Sequence, residues 1–232
     1  MAATQKIDIE EQITSANDAL AANVRSQLNA AGVFAINMMA SPGGGKTSLI
    51  LRTVEALKDE LRLAAIDGDV VPVDVEKIAA RGIPVELINT GGNCHLDANQ
   101  MIDVLPRLDL AAIDLLIVEN VGNLICPASF DLGADANVVI ASVPEGDDKP
   151  YKYPAMFSGA DVLVLNKIDY LAVQEFDVEY FRRGVAALND GVVFLPLSCK
   201  TGEGLEAWLD WLRVQVQSKK ARSVAVASQQ GG

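Results

Sequence analysis

"VFAINMMASPGGGKTS", residues 33–48, is an apolar run that stops at a glycine-rich loop. Helically spaced residues, "SLILRTVEALKDEL", follow without a proline or a further glycine. That order reads as a buried strand, a tight loop and a helix. The loop follows the pattern G-x-x-x-x-G-K-[ST] with Ala40 in the first position and Gly45, Lys46 and Thr47 in the others. Gly43, Gly44 and Gly45 let the backbone wrap closely round a phosphate, so that successive N–H groups point inward. The helix that starts there offers its positive end to the same anion. The pattern assigns Lys46 to the β- and γ-phosphates and the Thr47 hydroxyl to Mg²⁺, with Ser48 closing the nucleotide-binding stretch. Alanine is nearly as small as the glycine it replaces.

Outward from this loop, the same alternation runs through the chain. Apolar strand candidates are 62–66, 84–88, 114–120, 137–143, 161–166 and 192–197, and helical stretches such as 70–80, 97–105 and 175–188 lie between them. Strands that are apolar throughout imply a sheet buried on both faces. The fold class is therefore α/β: a single-domain P-loop NTPase with a mostly parallel sheet flanked by helices on both faces. Residues 1–30 read as an N-terminal helical extension packed on the core, with 7–30 helical, and 31–218 as the nucleotide-binding domain. A last helix from about Glu203 to Gln217 puts Leu205, Trp208, Leu209, Leu212 and Val216 on one face. The remainder, 219–232, is small and polar and reads as a mobile tail.

The chain has 232 residues, half of them hydrophobic, which is ample for one core. Its formal net charge is −12, and such an acidic surface repels duplex nucleic acid and acidic lipid surfaces. No apolar run reaches the ~18 residues of a membrane span. "MAATQKIDIEEQ" does not have the pattern of a secretory signal. Three cysteines suit free thiols in a reducing compartment. A cytoplasmic protein is expected, with neither a nucleic-acid nor a membrane partner.

The base is read further along. "LVLNKIDYL" places Asn166, Lys167 and Asp169 directly after an apolar strand. A carboxylate there can accept two hydrogen bonds from guanine, N1–H and the exocyclic amine. Adenine leaves it unpaired, at a cost of about 1–3 kcal/mol. Asn166 is expected at the base edge and the Lys167 stem against the ring. "LSCKTGEG" then puts Ser198, Cys199 and Lys200 in a loop that would pack on the base. The nucleotide is thus GTP or GDP. Two other strand ends carry acids: Asp67 and Asp69 in "AAIDGDV", and Glu119, with Gly122 three residues on, in "LLIVENVGN". Carboxyl ends of parallel strands line the ligand crevice. Asp69 and Glu119 are therefore candidates, with Lys46, for the catalytic set and, with Thr47, for the Mg²⁺ ligands. Their roles are not divided between them.

"GGNCHLDA", 91–98, holds the only histidine, His95, next to Cys94, and Cys126 follows the Glu119 strand on the same side of the sheet. Two thiolates and an imidazole suit Zn²⁺ or Ni²⁺. Three ligands leave an open position for water or for a second subunit. "TGGNCHLDA", "ENVGNLICPASFDLG" and "EGDDKPYKYP", together with "SPGGGKTS" and "NKID", resemble the HypB family, GTPases that help to insert nickel into [NiFe] hydrogenase. The resemblance covers about residues 13–217. It implies a nucleotide-dependent homodimer with Ni²⁺ or Zn²⁺ held by Cys94, His95 and Cys126 at its interface, and a Mg²⁺ and switch motif at Asp69. It also implies that Lys149 and Lys152 lie near the nucleotide and the partner chain. The partners it implies are a HypA-type nickel chaperone and the hydrogenase large subunit. Many members of that family carry a cysteine-rich motif or a histidine-rich stretch at the amino terminus. No cysteine precedes Cys94 here and no second histidine exists, so neither tight amino-terminal binding nor nickel storage is expected. Competing readings are an accessory GTPase for urease or a cobalamin enzyme, a metal carrier with only structural nucleotide, and a nucleotide kinase. Against the kinase, the only adjacent arginine pair, Arg182 and Arg183, reads as an exposed helix face rather than a lid.

Overall fold

Seven strands form one sheet in the computed structural model, which describes residues 9–230 and side chains from 14 to 223. The strands are β1 (Phe34–Ala40), β2 (Leu63–Asp69), β3 (Val85–Asn89), β4 (Leu115–Glu119), β5 (Ala136–Ser142), β6 (Val162–Asn166) and β7 (Val193–Pro196). Their order is β3-β2-β4-β1-β5-β6-β7 and every pairing is parallel. The helices are α1 (Ile9–Ala31), α2 (Lys46–Leu57), α3 (Val73–Ala79), α4 (Ala98–Val104), α5 (Lys149–Lys152), α6 (Pro154–Ser158), α7 (Val178–Leu188) and α8 (Leu205–Gln230). All seven apolar runs are strands, and the expected, mostly parallel sheet is parallel throughout. The central strands β1 and β4 are buried along their whole length, as their unbroken apolar sequences require. The edge strands β3 and β7 are only partly covered.

Two layers cover the sheet. On one face α2 and α8 pack through Leu49, Ile50, Val54, Trp208, Leu212 and Val216 onto Ile36, Met38 and Ile117. On the other, α1 and α4 meet Ala35, Ile66, Leu116 and Val118 through Val24, Leu28, Met101 and Val104. A third cluster, on the β5–β6 side, joins α6 and α7 through Met156, Phe157, Phe181 and Val185. The inward seam of α1 is Asn17, Ala21, Val24 and Leu28, with Leu20 only half buried. Ile7 lies outside the described residues, as do the side chains of Ile9 and Ile13.

The expected end of the last helix at Gln217 is a correction: the helix continues to Gln230, through the stretch read as a tail. Lys219 is 3% exposed, with Nζ 2.5 Å from both Asp135 Oδ1 and Asn29 Oδ1. Ser223 donates to the Lys219 carbonyl oxygen, and Lys220 pairs with Asp114 at 2.9 Å. A buried cation held by a carboxylate and an amide fastens the helix where apolar content alone predicts nothing to bury. Asp135 also accepts the Ala35 N–H at the start of β1, so the helix end is tied to the central strand.

Trp208 is fully buried and its indole N–H donates to Thr53 Oγ1 at 2.8 Å, which in turn donates to the Leu49 carbonyl. Trp208→Ala is expected to lower unfolding stability by about 3–5 kcal/mol in urea titrations. Trp208→Phe should cost less, since it keeps most of the ring volume, although it leaves a smaller gap and loses the bond to Thr53.

Candidate nucleotide and metal site

The strand-to-helix turn after β1 works because its glycines take conformations closed to other residues. Gly43 and Gly45 have φ of 77° and 108°, and a Cβ on Gly45 would stand 2.2 Å from Asn166 Nδ2. The close neighbour is functional: Asn166 donates from Nδ2 to the Gly44 carbonyl at 3.1 Å. Lys167, the one non-glycine residue at positive φ among those described, donates from Nζ to the Gly43 carbonyl at 2.7 Å. The Asn-Lys pair after β6 therefore clamps the loop after β1. Above the loop opens a cavity of about 550 Å³. Gly43, Gly45, Lys46, Thr47, Ser48, Asp69, Glu119 and Lys167 all line it. Lys149 and Lys152 are not among its lining residues. Lys152 pairs with Asp148, and Lys149 lies 5.5 Å from the Tyr153 ring centre.

Acids crowd one wall of this cavity. Asp67 and Glu119 face each other in register on β2 and β4, and both are nearly inaccessible. Lys46 Nζ, the nearest compensating cation, is 3.9 Å from Glu119 Oε1. Burial raises the Glu119 carboxyl to about 7; Lys46 opposes the rise and Asp67 adds to it. Burial, then Asp69 and Asp74, raise Asp67 to about 6. Thr47 Oγ1 lies 2.9 Å from Glu119 and 3.0 Å from Asp74, yet one hydroxyl proton serves only one of them. A proton on Glu119 satisfies the other contact, and a divalent cation would replace that proton. Asp67 Oδ2 and Glu119 Oε2 are buried without a hydrogen-bond partner, which fits an all-oxygen site for Mg²⁺. Asp69 is less enclosed and accepts the Val70 N–H at 2.6 Å. Sequence reading missed Asp74 and Lys77, paired with each other at 2.6 Å on α3. No motif marks them; they reach the cavity because α3 starts just after β2.

Asp169, Ser198 and Lys200, expected to serve the base, are brought together. Ser198 donates to Asp169 Oδ1 at 2.6 Å, and Lys200 Nζ stands 3.9 Å from Asp169 Oδ2. Asn166, expected at the base edge, spends one of its two Nδ2 protons on the Gly44 carbonyl. It is 1% exposed, and its Oδ1 accepts the N–H groups of Lys167 and Cys199. Burial pushes the Cys199 thiol up to about 11, which suits a packing residue rather than a metal ligand.

Cys94, His95 and Cys126 come together: their ligand atoms lie within 4.8 Å of one another. Cys94 Sγ is 3.5 Å from His95 Nδ1. The His95 ring stacks on Phe130 with centres 3.9 Å apart, and burial lowers its pKa, which favours the neutral, ligating form. Three asparagines hold the two legs. Asn17 on α1 accepts the Ala98 N–H and donates to the Asp131 carbonyl. Asn120 accepts the Leu96 N–H, and Asn123 donates to the Cys94 carbonyl. None of the three was legible in the sequence, because an asparagine in a loop carries no signal of what it will bond.

A glycine cradle at a helix start, acids facing it from neighbouring strand ends and a clamp from the Asn-Lys-x-Asp stretch are the working parts of a P-loop GTPase. Residues 34–196 match the family model described as CobW/HypB/UreG, nucleotide-binding domain. The hydrogenase maturation factor HypB of Azotobacter vinelandii is 45% identical over 91% of this chain and 70% of its own length. The probable HypB of Methanocaldococcus jannaschii is 40% identical over 92% of this chain and 97% of its own. A crystal structure of HypB from Helicobacter pylori in complex with nickel superimposes with a TM-score of 0.84 and 34% identity. It covers 88% of this chain and 96% of that one. The chain belongs to the CobW/HypB/UreG family and, within it, to the hydrogenase maturation factors called HypB.

Folded Asp67 and Glu119 titrate near 6 and 7, against ordinary values of 3.8 and 4.5. Between those limits the folded chain binds more protons than the unfolded one, so its stability falls as pH rises from about 4 to about 7. Without nucleotide or Mg²⁺, the melting temperature should drop by several degrees between pH ~5 and pH ~8. Asp67→Asn with Glu119→Gln should flatten most of that drop, and Mg²⁺ with GDP should reverse it. An equal drop in the double variant would show that other groups cause it.

Proposed function

We propose that this chain is a nickel-handling GTPase, acting in the cytoplasm, that assists nickel insertion into a [NiFe] hydrogenase. The observation that carries the reading is the Cys94–His95–Cys126 cluster, bonded to the same β4 end that puts Glu119 against Thr47. Nickel is the cargo, with zinc an alternative occupant of the same three donors. The H. pylori HypB structure, solved with nickel, supports the choice of metal.

In the GTPase step, water attacks the γ-phosphorus in line and GDP leaves with the electron pair of the broken P–O bond. Lys46 balances charge on the β- and γ-phosphate oxygens, and the amides of Gly43 to Thr47 cradle them. Thr47, Glu119 and Asp67 would hold Mg²⁺, which supplies charge neutralisation at the β- and γ-oxygens. Asp69 and Asp74 stand at the rim to orient water. Asp169 accepts from the guanine edge, held by Ser198 and Lys200.

Three donors leave the metal site open, and a second copy of the chain would close it. Val70, Val71 and Val73 beside the acids and Ile125 beside Cys126 are exposed by 49%, 51%, 53% and 64%. A nucleotide-dependent homodimer that covers them fits this reading. A HypA-type chaperone would supply nickel and the hydrogenase large subunit would receive it.

Equilibrium dialysis with Ni²⁺ or Zn²⁺, in GDP and in a non-hydrolysable GTP analogue, tests the reading. One metal per open site is expected, with an affinity that differs between the two nucleotides and is abolished by Cys94→Ala. Metal that binds equally in both states, and survives the substitution, would overturn it. Asp169→Ala should cut the preference for GTP over ATP by about 10–100-fold in competition binding.

A further inference from the structure

The segment from Glu119 to Cys126 touches both ends of the machinery. At one end Glu119 meets the Thr47 hydroxyl, and Gly122 packs so tightly that a Cβ there would stand 3.2 Å from the Pro42 backbone. At the other end stands Cys126. Between them, Asn123 uses both faces of its amide. Nδ2 donates to the Cys94 carbonyl at 3.2 Å, and Oδ1 accepts the Ile125 N–H at 2.9 Å. One bond holds the leg that carries Cys94; the other sets the turn that delivers Cys126. Asn120, three residues earlier, makes a second, deeper link. It is buried, and its bonds to Leu96, Val121 and Asn37 tie it to the strand end.

We infer that Asn123 is a positioning residue that sets the separation of Cys94 and Cys126, and that the nucleotide state reaches the metal through it. The inference rests on the nickel-binding GTPase reading above. Any shift of Gly122 against Pro42 as the phosphate loop fills is passed to Asn123, the next residue, and from there to the Cys94 carbonyl. Asn120 also bonds both stretches, through Leu96 and Val121, but Asn123 is the one side chain of this segment, among the described residues, that bonds the backbone of a ligand cysteine. Asn123 does not line the phosphate cavity, so the phosphate chemistry does not depend on it directly.

The experiment uses the full chain with Ni²⁺ as the probe, in GDP and in a non-hydrolysable GTP analogue. It reads Ni²⁺ affinity and the thiolate-to-nickel charge-transfer band. Asn123→Ala removes both bonds. Asn123→Asp keeps the acceptor for Ile125 and loses the donor to Cys94, so it isolates the latch from the turn. Both variants should weaken Ni²⁺ binding in one nucleotide state by about tenfold, shift the band and bring the two states within about twofold of each other. Metal-free GTP turnover and GDP affinity should stay within about twofold of wild type. If wild type distinguishes the two nucleotides and both variants do so equally well, the latch is overturned and the GTPase reading stands. If wild type itself shows no nucleotide dependence, the gated reading falls and the transmission falls with it. If only Asn123→Ala responds, the turn at Ile125 matters and the bond to Cys94 does not, which also overturns the inference.

Discussion

A parallel sheet imposes one constraint from which the rest of this molecule follows. Each strand must be re-entered from the same end, so all seven carboxyl ends gather along one edge. The candidate site residues sit there: the glycine loop after β1, the acids ending β2 and β4, the thiol and imidazole after β3, and the Asn-Lys-x-Asp and Ser-Cys-Lys stretches at the ends of β6 and β7. Residues scattered from 43 to 200 in sequence are neighbours only because the crossovers return on the outside. The order places β4 directly between β1 and β2, which brings Glu119 to the loop on one side and to Asp67 on the other.

That edge carries an unbalanced charge. Acids converge where Lys46 is the nearest cation, and two of their oxygens are buried without a partner. A folded chain tolerates this by keeping protons on the carboxyls, which is why both titrate far above their ordinary values. The arrangement stores a preference for a cation and an anion bound together. The cost is borne by the apolar layers on both faces and by polar fastenings such as Lys219 with Asp135.

The Cys94–His95–Cys126 cluster depends on the same edge but on weaker ties. Its two legs are loops, and loops hold a geometry only through side-chain bonds to something rigid. Asn17 from α1 and Asn120 from the end of β4 supply the rigid ends. The helix that precedes the first strand is therefore part of the site's support. It packs on α4, whose first amide Asn17 holds through its side-chain oxygen.

Sequence alone determined the elements and the chemistry of their ends. Unbroken apolar runs permit only buried strands, glycines before a lysine permit only a phosphate turn, and Cys94, His95 and Cys126 have no other chemistry so concentrated. Those signals are local, so composition and spacing carry them. Tertiary structure decided which distant groups meet. It tied Asn166 to the phosphate loop, and it brought Asp74 of α3 against Thr47. It turned the supposed tail into a helix fastened by Lys219, and it put Asn17, Asn120 and Asn123 beneath Cys94, His95 and Cys126. Each of these is a hydrogen bond or ion pair between residues far apart in the chain. Such a partner is set by the sheet order and the crossovers, and an isolated asparagine or lysine in a sequence carries no mark of it.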